Sequence, residues 1–143
     1  MAFRFRDDLS TADVGFEADG PTLEAVFHAA AEALLAIAVA DPAAVRPCHP
    51  TEVQVESESI EMLLFDFLQE LVFLKDTQAL LLHPQRIRIT PTAPSPCLVA
   101  TMDGEKVDPA RHALAVDVKA VTLHHFGLER TAEGWRAQVV VDV

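Results

Sequence analysis

Helical periodicity is confined to the first half of this chain, and that confinement limits its fold more than any other feature. Thr22 can cap a helix in which Leu23, Val26, Phe27, Ala30, Leu34 and Ile37 recur at helical spacing, with Asp41-Pro42 ending it. Ser57 or Ser59 caps a second, whose apolar stripe runs through Ile60, Leu63, Leu64, Phe67, Leu68, Leu71 and Leu74. Before and between them, 3–6, 14–18 and 51–56 alternate apolar and polar residues as strands do. Beyond Asp76 only short strand-like runs follow, at 79–82, 86–90, 98–102, 114–124 and 135–141, separated by Pro- or Gly-containing turns. Helices grouped early, without regular strand–helix alternation, predict an α+β fold: two layers, a mainly antiparallel sheet and two amphipathic helices packed on one face. The length of 143 residues predicts a single domain over 1–143.

Charge narrows the partners. The formal net charge of −11 argues against direct nonspecific binding to nucleic acid, which depends on Lys and Arg displacing counterions from phosphates. If RNA is involved, another protein holds it. An acidic surface suits cations or basic protein faces, or simply keeps the chain in solution. Cys48 and Cys97 form no C-x-x-C pair and read as two free thiols. No basic leader precedes a long apolar stretch, and the longest apolar segments are broken by Glu, Asp or Gln, so the expectation is a cytoplasmic protein without membrane contact.

There is no glycine-rich phosphate loop, G-x-S-x-G elbow, H-E-x-x-H or spaced Cys/His set, so an enzyme reading lacks a nucleophile and a base. Asp13 falls in a loop between two predicted strands, and Asp142 follows the apolar run Val139-Val140-Val141. If those ends meet, two carboxylates share a site, and their repulsion requires a raised pKa or a bound cation; if they do not, they are two solvated and unrelated Asp residues. Lys119, among alternating Val116, Val118, Ala120 and Thr122, reads as an exposed strand lysine, and His124 and His125 could cover a strand edge. Phe27, Phe65, Phe67, Phe73 and Trp135 read as core residues, and Asp66 with Glu70, four apart on one helix, as a solvated acidic face.

Four blocks, in order along nearly the whole chain, resemble the archease family. They are Thr11-Ala12-Asp13-Val14-Gly15; the helix from Leu63 through Asp66 and Glu70 to Leu74; Pro109-Ala110-Arg111-His112 followed by Asp117-Val118-Lys119-Ala120-Val121-Thr122-Leu123-His124; and Trp135-Arg136-Ala137-Gln138-Val139 leading to Asp142-Val143. Leu9-Ser10 stand where the family has an acidic residue and His, and Leu123 stands where it has Tyr. The resemblance implies a non-catalytic activator of an RtcB-type RNA ligase in tRNA splicing or RNA repair, which promotes ligase guanylylation and repeated turnover and meets RNA only through the ligase. It further implies a divalent cation, calcium or magnesium/manganese, on Asp13, Asp142 and Val143, the last contributing a backbone or C-terminal carboxylate oxygen. Lys119 and His124 carry over as residues that act toward the site or the partner. The alternatives are a chaperone or specificity modulator of an RNA methyltransferase and a metal-dependent hydrolase built on the two Asp residues.

Overall fold

The computed structural model describes residues 2–9, 13–92 and 94–143. The elements run β1 (Phe3–Phe5), β2 (Val14–Gly20), α1 (Leu23–Ala38), a 3₁₀ turn (Pro42–Ala44), β3 (Thr51–Glu56), α2 (Ile60–Gln78), β4 (Leu80–Thr90), β5 (Cys97–Lys106), β6 (Ala120–Thr131) and β7 (Gly134–Asp142). Both helices begin where a hydroxyl can satisfy an orphan amide: Thr22 Oγ1 accepts from Ala25 N–H and Ser59 Oγ from Met62 N–H, each at 3.1 Å. Of the two serines that could cap α2, it is Ser59 that does so. At its other end the helix closes on Ala79 in the left-handed conformation, φ 55°, with the Ala79 N–H reaching the Leu74 carbonyl.

The α+β class, with antiparallel strands and two helices, is as the sequence predicts, but the strands form two sheets instead of one. A four-stranded sheet has the order β1-β2-β7-β6 and a three-stranded sheet the order β3-β5-β4, and every pairing is antiparallel. Each helix packs against strands of both sheets. The reason lies in α1, where Ala29, Ala30, Ala31, Ala33 and Ala38 are buried alongside the larger Val26, Phe27, Leu34 and Ile37. A helix buried over most of its circumference, with His28 and Glu32 partly open, has a layer on more than one side, and alanines leave room for it. The main core cluster joins Phe16, Phe27, Phe67 and Val139 from both helices and the larger sheet to Leu98 and Met102 of the smaller one. The Phe27 and Phe67 rings stack with centroids 6.1 Å apart.

Two strand boundaries differ from expectation for identifiable reasons. The runs at 79–82 and 86–90 are one strand, β4, whose register against β5 shifts between Pro84 and Arg86, so proline sits at a bulge where its missing N–H is tolerated. The run expected to be a strand from 114 begins only at Ala120. Ahead of it, Ala115 and Val116 donate to the Ala38 and Ile37 carbonyls at 3.0 and 3.3 Å, so this stretch satisfies the end of α1 and does not continue a sheet.

Candidate functional site at the ends of β2 and β7

The antiparallel register of β2 on β7 pairs Val14 with Val141, which makes Asp13 and Asp142 the next residues outward on the two strands. On the other side of β7, Ala120 pairs with Asp142, and Lys119 N–H donates to the Asp142 carbonyl at 2.8 Å. Asp13, Asp142, Val143 and Lys119, distant in sequence, thus occupy one end of one sheet. Asp13 is half-buried and Asp142 exposed. Thr11 and Ala12 of the first motif, with Ser10 before them, lie outside the described residues.

A charged ladder on the outer face of this sheet holds the register. Glu17, buried in the ladder, takes Arg4 and Arg6 of the neighbouring strand and the loop after it, the second at 2.6 Å. Asp19 takes Arg4 at 2.7 Å and Arg136 of β7 at 2.9 Å. Burial raises the Asp19 carboxyl, but hydrogen bonds from Arg4 and Arg136 outweigh it and leave the pKa lowered. Arg6 also clasps Asp8, whose carboxyl its hydrogen bond brings down to about 2. The Phe-Arg-Phe-Arg alternation signals a strand in the sequence, while the partners of its arginines are visible only in the fold.

Gly15 explains the close of the first motif. A Cβ there would lie 2.9 Å from both the Arg6 carbonyl oxygen and Leu9 Cβ, so only glycine lets Arg6 and Leu9 lie this close against β2. Leu9, where the family has an acidic residue, is buried, and this departure supplies packing and no ligand.

Lys119 is fixed by what flanks it. Val118 is buried, Asp117 binds Lys75 of α2 at 2.7 Å, and Val121 N–H donates to Gln69 Oε1 of α2 at 2.9 Å. The ammonium-bearing chain therefore borders a cleft of about 630 Å³ with Glu56, Asp66, Glu70, Phe73 and Asp76. It shares no ion pair with Asp142 among the described residues, and their direct link is through the backbone. His124 is not brought to this end. The register of β6 on β7 shifts between Thr122 and Gly127, and His124 stands exposed in that bulge with its ring 4.1 Å from that of His125.

Arg111 and His112 fall in the third motif, and nothing in the sequence marks what they do. His112 is buried, and its Nδ1 accepts from Asp108 N–H at 2.9 Å, so Nε2 carries the proton and donates to Glu105 Oε1 at 2.9 Å. Arg111 pairs with the same carboxylate and donates to the Ala44 carbonyl at 3.0 Å. Hydrogen bonds from Arg111 and then from Arg46 N–H draw the Glu105 pKa down to about 2. Together these contacts tether the segment that leads to Lys119.

Among the described residues no three His, Cys, Asp or Glu side chains gather as a metal centre. The donors at the sheet end are the carboxylates of Asp13 and Asp142 with main-chain oxygens, a hard-oxygen set whose chemistry fits calcium, magnesium or manganese.

The model of the Archease protein family matches residues 3–143. An archease of Thermococcus gammatolerans is 40% identical over 134 residues, covering 93% of this chain and 94% of that protein. One of Pyrococcus abyssi is 37% identical over the same span and coverage. Among solved structures, Methanobacterium thermoautotrophicum protein 1598 superposes with a TM-score of 0.86 at 33% identity, over 99% of each chain. An archease of Thermotoga maritima, described as a possible chaperone, shares the fold with a TM-score of 0.65 at 21% identity, over 94% of this chain and 93% of that one. The chain belongs to the archease family.

Proposed function

We propose that this protein is a non-catalytic activator of an RtcB-type RNA ligase in tRNA splicing or RNA repair, promoting guanylylation of the ligase and its repeated turnover. The observation that carries the reading, alongside family membership, is the β2–β7 register that sets Asp13 beside Asp142 at one exposed sheet end. Two carboxylates so placed repel, and a divalent cation held by them and a Val143 main-chain oxygen supplies a Lewis-acidic positive centre. The chain's own part is to present those oxygens rigidly: Val141 and Val143 pack on the core, and the arginine ladder fixes the strands behind them. Presentation of this end to the ligase favours its guanylylation-competent conformation by binding that state more tightly. RNA is met through the ligase, because a chain of net charge −11 repels phosphates. Lys119 contacts the partner, and His124 does so from the β6 bulge.

The test is guanylylation and multiple-turnover ligation by a purified RtcB-type ligase with and without this protein, across metal concentrations. Stimulation is expected, and Asp13→Ala or Asp142→Ala should reduce its maximum at least about tenfold, as ligand-shell losses do. No stimulation at any stoichiometry refutes the function; stimulation that survives both substitutions refutes the site alone. Association with an RNA methyltransferase in place of the ligase would replace the reading with that of a methyltransferase chaperone.

A further inference from the structure

Phe73, read from sequence as a core residue, is 56% exposed, and it has company. Among the described residues the exposed large apolar ones are Phe5, Phe73, Leu114, Val116 and Leu123, and three of these lie on one strip. Phe73 borders the Lys119 cleft, Leu114 and Val116 border a second of about 480 Å³, and Asp76 belongs to both. Lys75 joins the two by binding Asp76 at 3.0 Å and Asp117 at 2.7 Å. The exposure is built in: Phe73 stands on α2, Leu114 bridges Val39, and Val116 N–H is bound to the Ile37 carbonyl. Glu56, Asp66, Glu70, Asp76 and Asp117 border the strip against Lys119 and Lys75, the latter shared between Asp76 and Asp117, so carboxylates outnumber ammonium groups along it.

We infer that this strip is a docking surface for a basic protein segment carrying bulky apolar side chains, supplied by the ligase; the inference rests on the function proposed above. Apolar anchors that become fully covered carry most of the affinity of such contacts, and a rim of one charge selects and steers a partner of the other. Charge complementarity decides the occupant. RNA phosphates would be repelled, and a second copy facing this one would set the same carboxylates against each other. The strip is continuous with Lys119, so a segment lying on it is held next to the Asp142 sheet end.

The experiment measures binding of this protein to a purified RtcB-type ligase, in parallel with stimulated guanylylation, for Phe73→Ser, Leu114→Ser, Glu70→Lys and Asp13→Ala. Thermal unfolding of each variant confirms the fold. Phe73→Ser and Leu114→Ser should each weaken binding about tenfold, the loss usual for an anchor residue, and shift half-maximal stimulation while leaving its maximum unchanged. Glu70→Lys should weaken binding and flatten its dependence on salt. Asp13→Ala should lower the maximum and leave affinity in place. Binding unchanged by the first three substitutions overturns the inference, as does failure of the ligase to bind. It also falls if Phe73→Ser abolishes instead the binding of a single-stranded RNA or a self-associated form. Binding that responds as expected without any stimulation refutes the activator function and leaves the docking surface standing.

Discussion

Substitution of His112 tests whether the segment carrying Lys119 is positioned by one buried imidazole. His112→Ala deletes a ring only 3% exposed together with two 2.9 Å hydrogen bonds, one accepted from Asp108 N–H and one donated to Glu105. Glu105 retains Arg111 and the Arg46 N–H, so it is not orphaned, whereas Asp108 N–H loses its acceptor. Lost packing and lost paired hydrogen bonds at such a site together cost about 2–4 kcal/mol, or roughly 6–12 °C in Tm for a chain of this length. His112→Asn keeps an acceptor near the Nδ1 position and should recover about 1 kcal/mol of this. Denaturant unfolding gives the stability change, and hydrogen exchange gives its location: the Ala115 and Val116 amides, bound to the end of α1, should exchange faster before the β2–β7 amides do. A cost below about 1 kcal/mol with unchanged exchange at Ala115 and Val116 would refute the tether.

Three further outcomes are expected. Phe67→Ala removes a fully buried ring stacked on Phe27 and should cost about 3–5 kcal/mol in denaturant unfolding; a loss below about 1 kcal/mol would mean the helices are not joined there. Ala79→Gly at φ 55° should stabilise by about 1 kcal/mol, because glycine enters the left-handed region without a Cβ penalty, and a destabilised variant contradicts that account of the α2 terminus. Glu105 falls from its ordinary 4.5 to about 2 in the folded protein, chiefly through Arg111, so its pairing stabilises fully above the ordinary value and is lost as pH falls toward the folded one. The acid limb of stability against pH should therefore be shallower in Arg111→Ala, and an unchanged limb refutes the pairing.

Much of the fold was legible because the signals were local. Hydroxyl caps at Thr22 and Ser59, period-two alternation and the absence of helical period after Asp76 depend on residues close in sequence, and each appears in the structure. The division into two sheets was not legible, because a helix stripe shows which residues are buried and not how many layers bury them. The alanines of α1 are the trace of that second layer, and alanine is too common in helices to announce it. At the candidate site, the nearness of Asp13 to Asp142 could be posed only as a condition, since strand pairing across the whole chain decides it. Phe73 was misjudged for a related reason: it falls just off the α2 stripe and shares only its hydrophobicity with the buried Leu71, Val72 and Leu74.

Strand alternation adds a constraint on how the site can work. Val139 and Val141 belong to the core, so Asp142 between Val141 and Val143 turns to the opposite face of the sheet, as Glu17 and Asp19 do on β2. Asp13, one position before Val14, has the parity of Gly15 and Glu17 and so shares that outer face. Lys119 borders the α2 side instead, in the cleft with Phe73 and Asp76. The lysine and the two carboxylates are thus backbone neighbours on opposite faces, which makes Lys119 a poor neutraliser of Asp13 and Asp142 and a good contact for whatever occupies the α2 cleft. Lys119→Ala should accordingly change the affinity for the ligase and leave the metal dependence of stimulation as it was, whereas Asp142→Asn should do the reverse.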